Sequence, residues 1–273
     1  MAPRLDIVIV SYNARADLEA CLASLHDAPP RLDHHIVVVD NASTDGSAER
    51  VAARWPAARV VRNPENVGFA RANNIGIRAT SGDLVLLLNS DTLVPGGALD
   101  RLVAALERAP EAAIAGPRLV GRDGVAEVSF GRMIGPWNEA RQRLLVAAHA
   151  RGLGPVRRHV EQSTRHEQWP DWVSGACLLV WRADAERVGL LDERYFMYAE
   201  DVDFCAAIRA RGRRVLFTPD AEIVHLRGRS RAAAPEATRH AYRRSQLAFY
   251  EKHHPAWAPV LRTYLRLKGA LPP

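Results

Sequence analysis

The sequence predicts an α/β fold with a mostly parallel central sheet flanked by helices, and three observations predict it. Four short apolar runs, at residues 5–10, 35–39, 59–61 and 84–89, recur through the first half. Each ends in a polar group, namely Ser11, Asp40, Asn63 and the Ser90-Asp91 pair, and a helical stretch follows each. No internal repeat or low-complexity linker divides the 273 residues, which favours one α/β domain with carboxyl-terminal additions.

The first half reads as βαβ units, with helices over 17–25, 45–54, 69–79 and 97–108. From about Gly116 the rhythm breaks. Residues 117–128 contain Gly121, Arg122, Asp123 and Gly124 and read as a hairpin, followed by a helical stretch over 137–150. The Arg- and His-rich segment running to Gln168 reads as a mobile loop. Beyond it, 172–181 is a buried strand and 200–211 a helix whose acidic first turn suits the helix dipole. Residues 214–218 and 222–226 are two short strands, a helix covers 235–252, and a tail closes the chain.

Composition narrows the functional classes. With 48% hydrophobic residues the chain can bury a large core, and its apolar runs are strand-sized, with no secretory pattern at the amino terminus. A cytoplasmic protein is expected. Cys21, Cys177 and Cys205 are odd in number, far apart and set among apolar residues, which suits buried thiols rather than a disulfide framework or zinc site. The net charge of +6 and pI near 9.6 point to an anionic ligand, a nucleic acid or an acidic membrane face. A nucleic-acid binder is disfavoured because the acids gather at strand ends.

In an open parallel sheet, ligands bind beyond the carboxyl ends of the strands, so the polar endings point to one crevice. Asp40 sits too early to serve only as a helix cap and could accept hydrogen bonds from a nucleobase or ribose. Arg71 falls in the first turn of its helix, where a guanidinium can meet a diphosphate. Neither GxGxxG after the first strand nor GxxxxGK[ST] is present, which weakens dinucleotide and P-loop readings. Glu200, Asp201 and Asp203 place three carboxylates within four positions, and close carboxylates raise one another's pKa. His225, at the end of a strand-like run, could complete a metal shell. In the tail, Trp257, Val260, Leu261, Tyr264 and Leu265 recur at helical spacing among Arg262, Arg266 and Lys268. That basic amphipathic pattern fits peripheral membrane contact, packing on the α/β domain, or a partner chain.

Taken together and in order, VIVSYN (8–13), VDNASTDGS (39–47), NVGFARANN (66–74), LLLNSDT (86–92), VSGACLL (173–179), YAEDVDFC (198–205) and His225 resemble the family 2 glycosyltransferases of the GT-A fold, in particular their rhamnosyltransferase-like branch. The resemblance covers about residues 5–230. It implies a Rossmann-like catalytic domain over 1–230, with nucleotide binding in about 1–115 and acceptor and catalytic functions in about 116–230. Residues 231–273 would form a helical extension. It further implies that Ser11, Asn13, Asp40, Arg71 and Ser90 hold the nucleotide of a sugar donor. Asp91 and His225 would bind Mg²⁺ or Mn²⁺, Asp201 would be the inverting base, and Trp172, Gly175 and Glu200 would lie near the donor or acceptor sugar. The implied donor is dTDP-L-rhamnose, and the implied acceptor a saccharide, free or lipid-linked, at the inner face of the plasma membrane. Asn89 replaces the first acid of the DxD-type motif, so metal held without donor should be weak. The rivals are a transferase using a UDP-sugar, a sugar-nucleotide pyrophosphorylase, and a noncatalytic sensor of nucleotide sugars. The pyrophosphorylase would want a basic Gly-rich loop where Ser11 to Ala14 stand.

Overall fold

The computed structural model describes residues 3–226 and 235–270. An eight-stranded sheet forms the middle layer, with elements numbered in chain order. From edge to edge it runs β3 (Arg59–Arg62), β2 (His34–Asp40), β1 (Leu5–Ser11), β4 (Leu84–Asn89), β9 (Cys177–Trp181), β6 (Ala112–Val120), β10 (Arg214–His225) and β5 (Thr92–Leu93). The first four are mutually parallel, β9 is antiparallel to β4 and β6, and β10 is parallel to β6. A second sheet pairs β7 (Phe130–Gly131) with β8 (Trp172–Val173).

Every residue of β1 is buried, as an interior strand covered on both faces requires. Leu5, Ile7 and Ile9 pack towards α1 (Arg15–Asp27), α2 (Ser47–Arg54) and α4 (Ala98–Glu107). Val8 and Val10 pack towards α3 (Phe69–Arg78), α7 (Arg182–Arg187) and α8 (Glu200–Ala210). On α1 the buried Leu18, Cys21, Leu22 and Leu25 recur at i, i+3, i+4 and i+7, one helical stripe. Gly76 lets α3 lie close to the sheet, since a Cβ there would run into the Val8 side chain. All three cysteines are free and buried, and burial pushes the Cys21 thiol up to about 12.

Several expectations change. The polar segment expected as a mobile loop contains α6 (Gly154–Ser163), anchored by the buried Val160 and by Arg118, which grips both oxygens of Glu161 at 2.7 and 2.8 Å. Its apolar stripe is only Val156 and Val160, too short for a periodic signal. The expected strand over 172–181 breaks into β8 and β9 around Ser174 and Gly175, and the two strands expected after residue 213 are one, β10, with a register shift between Thr218 and Glu222. The hairpin expected over 117–128 is a tight return from β6, with Val120 bridging Ala126.

The tail helices α9 (Pro235–His253) and α10 (Ala258–Leu267) pack on the rest of the chain, where Phe249, Tyr250 and Ala258 form a cluster with Tyr195 and Val202. The expected apolar face of the tail splits: Leu265 is buried and Leu261 packs on that cluster, while Trp257, Val260 and Tyr264 face solvent. The expected domain boundary at 230/231 lies outside the described residues. Among the described residues, no helix is long and apolar enough to cross a membrane.

At the amino edge of the sheet the fully buried Asp6 receives Arg182 at 2.9 Å and the Gly82 N–H. Arg182 also donates to Ile77 O and Thr80 Oγ1. Removing the carboxylate would leave this largely buried guanidinium with only the exposed Glu186, 3.6 Å away, as counter-ion. Asp6→Ala is therefore expected to cost about 3 kcal/mol in urea denaturation, with much of the loss recovered in the Asp6→Leu, Arg182→Met double variant.

Candidate active site

The carboxyl edge of β1, β2 and β4 opens into a crevice whose near wall is built from asparagines. Asn13 takes a left-handed conformation at φ 49°, which asparagine tolerates, and its Oδ1 accepts the Thr44 N–H at 2.8 Å. Its own N–H donates to Ser43 Oγ at 3.0 Å, so the turns after β1 and β2 are clipped together. Asn41 Oδ1 accepts from Asn63 Nδ2 and the Val67 N–H, while its Nδ2 donates to Asn66 Oδ1 at 2.7 Å. This bonding orders the loop that enters α3. Inside the wall, Ser11 Oγ and Asp40 Oδ1 are buried without a hydrogen-bond partner. Such atoms are costly unless something else satisfies them.

The far wall is the stretch leading into α8. Tyr198 and Ala199 are both left-handed, at φ 71° and 67°, a strain of roughly 1 kcal/mol or more each for side chains with a Cβ. Two bonds hold the residues just before the strained pair: Phe196 O accepts the Phe69 N–H at 2.6 Å, and Met197 O accepts Ser245 Oγ at 2.8 Å. The turn delivers Glu200 and Asp201 to the crevice. Asp201 Oδ2 accepts the Gly175 N–H and Oδ1 the Val202 N–H, both at 2.8 Å. Burial raises the Asp201 pKa and these backbone donors oppose it, with a net rise. Glu200 is pushed well above the carboxylate range, first by burial and then by the Asp201 charge, and its Oε2 has no partner. Trp172 stands on β8 and donates its Nε1–H to Arg132 O at 2.8 Å.

A third cluster sits where β10 ends beside the turn after β4. His225 Nε2 lies 3.3 Å from Asp91 Oδ1, and its Nδ1 lies 3.1 Å from Glu127 Oε2. Burial disfavours the charged ring but the two carboxylates outweigh it, and the His225 pKa is pushed up to about 9. Leu226 N–H donates to Asp91 O at 2.8 Å, fixing the Asp91 backbone against the strand end. Ser90 lies in the same turn, and the nearby Asn89 Oδ1 is buried and unpartnered. Among the described residues no three His, Cys, Asp or Glu side chains make a complete metal shell.

Sequence reasoning therefore named residues on both walls and in the third cluster, and Ser11, Asn13, Asp40, Ser90, Asp91, Glu200, Asp201, Gly175 and His225 line this one edge of the sheet or the turn facing it. Arg71 differs: its guanidinium lies 3.7 Å from Glu193, towards the loop before α8. Glu127 and Asn41 were missed. Glu127 lies in a short return where no pattern marks it, whereas Asn41 follows Asp40 in a turn whose composition already explained an asparagine.

A mostly parallel sheet with acids and asparagines gathered at its carboxyl edge defines an α/β protein of GT-A architecture. The glycosyl transferase family 2 model matches residues 6–168, and the chain belongs to that family and is a glycosyltransferase. It is 31% identical over 284 aligned residues, covering 99% of this chain and 91% of the relative, to N-acetylglucosaminyl-diphospho-decaprenol L-rhamnosyltransferase of Mycobacterium tuberculosis. An O-antigen biosynthesis protein of Myxococcus xanthus is 29% identical over 84% of this chain and 18% of its own length. Among solved structures, a mannosyltransferase of Pyrobaculum calidifontis in complex with GDP-Man and Mn²⁺ matches with a TM-score of 0.65 at 23% identity, over 96% of this chain and 69% of that one.

The two walls meet at Gly68, which has φ 84° and where a Cβ would stand 2.5 Å from Phe196 O. Gly68→Ala is expected to destabilise the fold by about 2 kcal/mol in chemical denaturation, through a disfavoured backbone and a forced separation of the Phe69–Phe196 contact.

Proposed function

We propose that this enzyme transfers L-rhamnose from dTDP-L-rhamnose, with inversion, to a hydroxyl of a polyprenyl-diphosphate-linked saccharide in cell-envelope polysaccharide synthesis. The observation that carries this reading is the 31% identity to the Mycobacterium tuberculosis rhamnosyltransferase along 99% of the chain. That relative, by its name, acts on a lipid-diphosphate-linked amino sugar.

Ser11, Asn13, Asp40, Arg71 and Ser90 bind the nucleotide diphosphate. The unmet acceptor of Asp40 and the unpartnered hydroxyl of Ser11 support this, since a base or ribose would satisfy both. Arg71 reaches the diphosphate by exchanging its loose contact with Glu193. Trp172, Gly175 and Glu200 border the sugar and acceptor.

In the transfer step the acceptor oxygen attacks the anomeric carbon on the side opposite the diphosphate. The bond from that carbon to the phosphate oxygen breaks with its electron pair, and Asp201 takes the acceptor proton. Burial together with two backbone donors keeps Asp201 fixed and more basic than an exposed aspartate. Glu200, held neutral by burial beside that charge, can donate a hydrogen bond that an ionised carboxylate could not.

Asp91 and His225 are an oxygen and a nitrogen donor that together fit a divalent cation, and Glu127 behind the ring orients it as carboxylates orient metal-binding histidines. A bound Mg²⁺ or Mn²⁺ would offset charge on the departing diphosphate. With two protein ligands and the neutral Asn89, such a cation would depend on the donor and water for its remaining ligands.

Asp201→Asn is expected to lower transfer by about 10²- to 10⁴-fold while leaving nucleotide-sugar binding intact in calorimetry. The base works deprotonated, so the wild-type rate should fall as pH drops through an apparent pKa that burial raises above that of an exposed aspartate; a flat profile through the acidic range would contradict the assignment. For the cation, Mn²⁺ titrated alone should bind weakly and with dTDP tightly. Glu127→Ala should weaken the dTDP-dependent site about 10- to 100-fold, and Glu127→Gln, which can still accept from Nδ1–H, much less.

A further inference from the structure

Ten large apolar side chains stand in solvent among the described residues, and their distribution is uneven. Tyr12 and Phe196 lie near the crevice. The other eight belong to α5 (Pro136–Ala150), the turn into α6, and α10 with its preceding Trp257. Isolated exposed apolar residues are ordinary, whereas a concentration on neighbouring elements marks an interaction surface.

On α5, Trp137 is 79% and Leu144 72% exposed. They are seven residues apart, on one face, and the exposed Arg141 and Arg151 share it at i+4 and i+14 from Trp137. On α10, Trp257, Val260, Tyr264 and Leu267 recur at i, i+3, i+7 and i+10, a stripe beside the face that buries Ala258 and Leu265. Leu267 is 83% exposed. Fold packing thus uses one face of α10 and leaves an adjacent apolar face free.

The two elements are held together through α9. Glu139 of α5 accepts from Tyr242 and Tyr250 and from Gln246 Nε2, and His254 Nε2 lies 2.7 Å from Ile134 O just before α5. Trp257 follows three residues later. The surrounding charge is one-sided: residues 136–166 carry six arginines against two glutamates, and 257–268 three basic residues against no acid. That surplus of seven exceeds the +6 of the whole chain.

Exposed tryptophan, tyrosine and leucine interleaved with arginine match an anionic lipid interface, where aromatic rings sit at headgroup depth and basic groups meet lipid phosphates. We propose that α5, the α5–α6 turn and α10 form a single platform that rests on an anionic bilayer. It deepens the lipid-linked acceptor reading and rests on it for its purpose, though the contact itself needs neither donor nor acceptor. The platform adjoins the acceptor side, since Met133 and Ile134, ahead of α5, pack with Trp172 in the cluster that seats α9 and α10. A lipid-bound acceptor could then present its saccharide without leaving the bilayer.

The test is flotation of the full chain with acceptor-free vesicles of phosphatidylcholine alone or with phosphatidylglycerol, beside light scattering for oligomeric state. Binding is expected to the anionic vesicles, at least about tenfold weaker to the neutral ones, and weakened by salt. Trp137→Ser with Leu144→Ser, and separately Trp257→Ser with Tyr264→Ser, should each lower partition about tenfold or more at unchanged dTDP and Mn²⁺ binding. Arg141→Glu with Arg151→Glu provides a variant that leaves the apolar residues intact and should also lose binding. No partition to anionic vesicles, partition undiminished in all three variants, or a dimer that these variants dissociate in place of vesicle binding, would overturn the platform. Since the vesicles hold no acceptor, that result leaves the transferase reading standing, and absent rhamnosyl transfer leaves the platform standing.

Discussion

The hydrogen bond from the Gly175 N–H to Asp201 Oδ2, 2.8 Å long, joins the centre of the sheet to the first turn of α8, and the crevice is organised around it. It exists because β9 enters the sheet against the direction of β4 and β6. A parallel strand would bring its carboxyl end to the crevice edge. Reversed, β9 brings its amino-terminal approach there instead, with Ala176 O accepting the Asn89 N–H at 2.9 Å and Gly175 standing free to donate. Gly175 also keeps the approach open, since a Cβ at that position would lie 3.2 Å from Asp201 Cβ. Strand direction is thus the physical cause of the carboxylate's position.

The two ends of the same sheet are finished differently, although each keeps a buried polar atom without a hydrogen-bond partner, Asp6 Oδ1 at the amino edge among them. At the amino edge, Arg182 donates to a carboxylate, a hydroxyl and backbone carbonyls, which closes that end around Asp6. At the carboxyl edge and the turn facing it, Ser11, Asp40, Asn89 and Glu200 each keep a buried atom without a partner. A folded chain tolerates such atoms only if total stability comes from elsewhere, and here the continuous cores on both faces of β1 supply it. The left-handed pair Tyr198-Ala199 adds to the same local cost. At this edge a ligand would relieve both the strain and the unmet acceptors.

Much of this was legible in the sequence, for identifiable reasons. The strands β1, β2 and β4 announce themselves because burial on both faces demands continuous apolar runs, and their polar endings mark the crevice edge. What could not be read depends on contacts between distant segments. Nothing local to Cys177–Trp181 states that it runs antiparallel, and α6 shows too little apolar periodicity to be recognised. Glu127 is separated from His225 by 98 residues, so their pairing appears only once β10 lies beside β6. Arg71 illustrates the reverse case. Its place in the first turn of α3 was legible, but the side chain takes the nearest acid, Glu193, which the fold supplies from far along the chain.

The acidic run at the start of α8 shows how position decides what identical chemistry does. Glu200, Asp201 and Asp203 lie within four residues, yet each meets a different environment. Glu200 turns into the interior and meets no donor at Oε2, so burial and the neighbouring Asp201 charge raise its pKa. Asp201 meets two backbone N–H groups, which hold the carboxylate in place while leaving lone pairs for a proton. Asp203 meets Lys252 at 2.8 Å, His253 at 2.6 Å and the Tyr195 hydroxyl at 3.2 Å, and so becomes the anchor of α9. The helix that presents Asp201 to the crevice is therefore the same helix that seats the tail. A rigid α8 serves both, because any rotation that displaced Asp201 would also have to break the Asp203 ion pairs, and the tail consequently braces the carboxylate through α8.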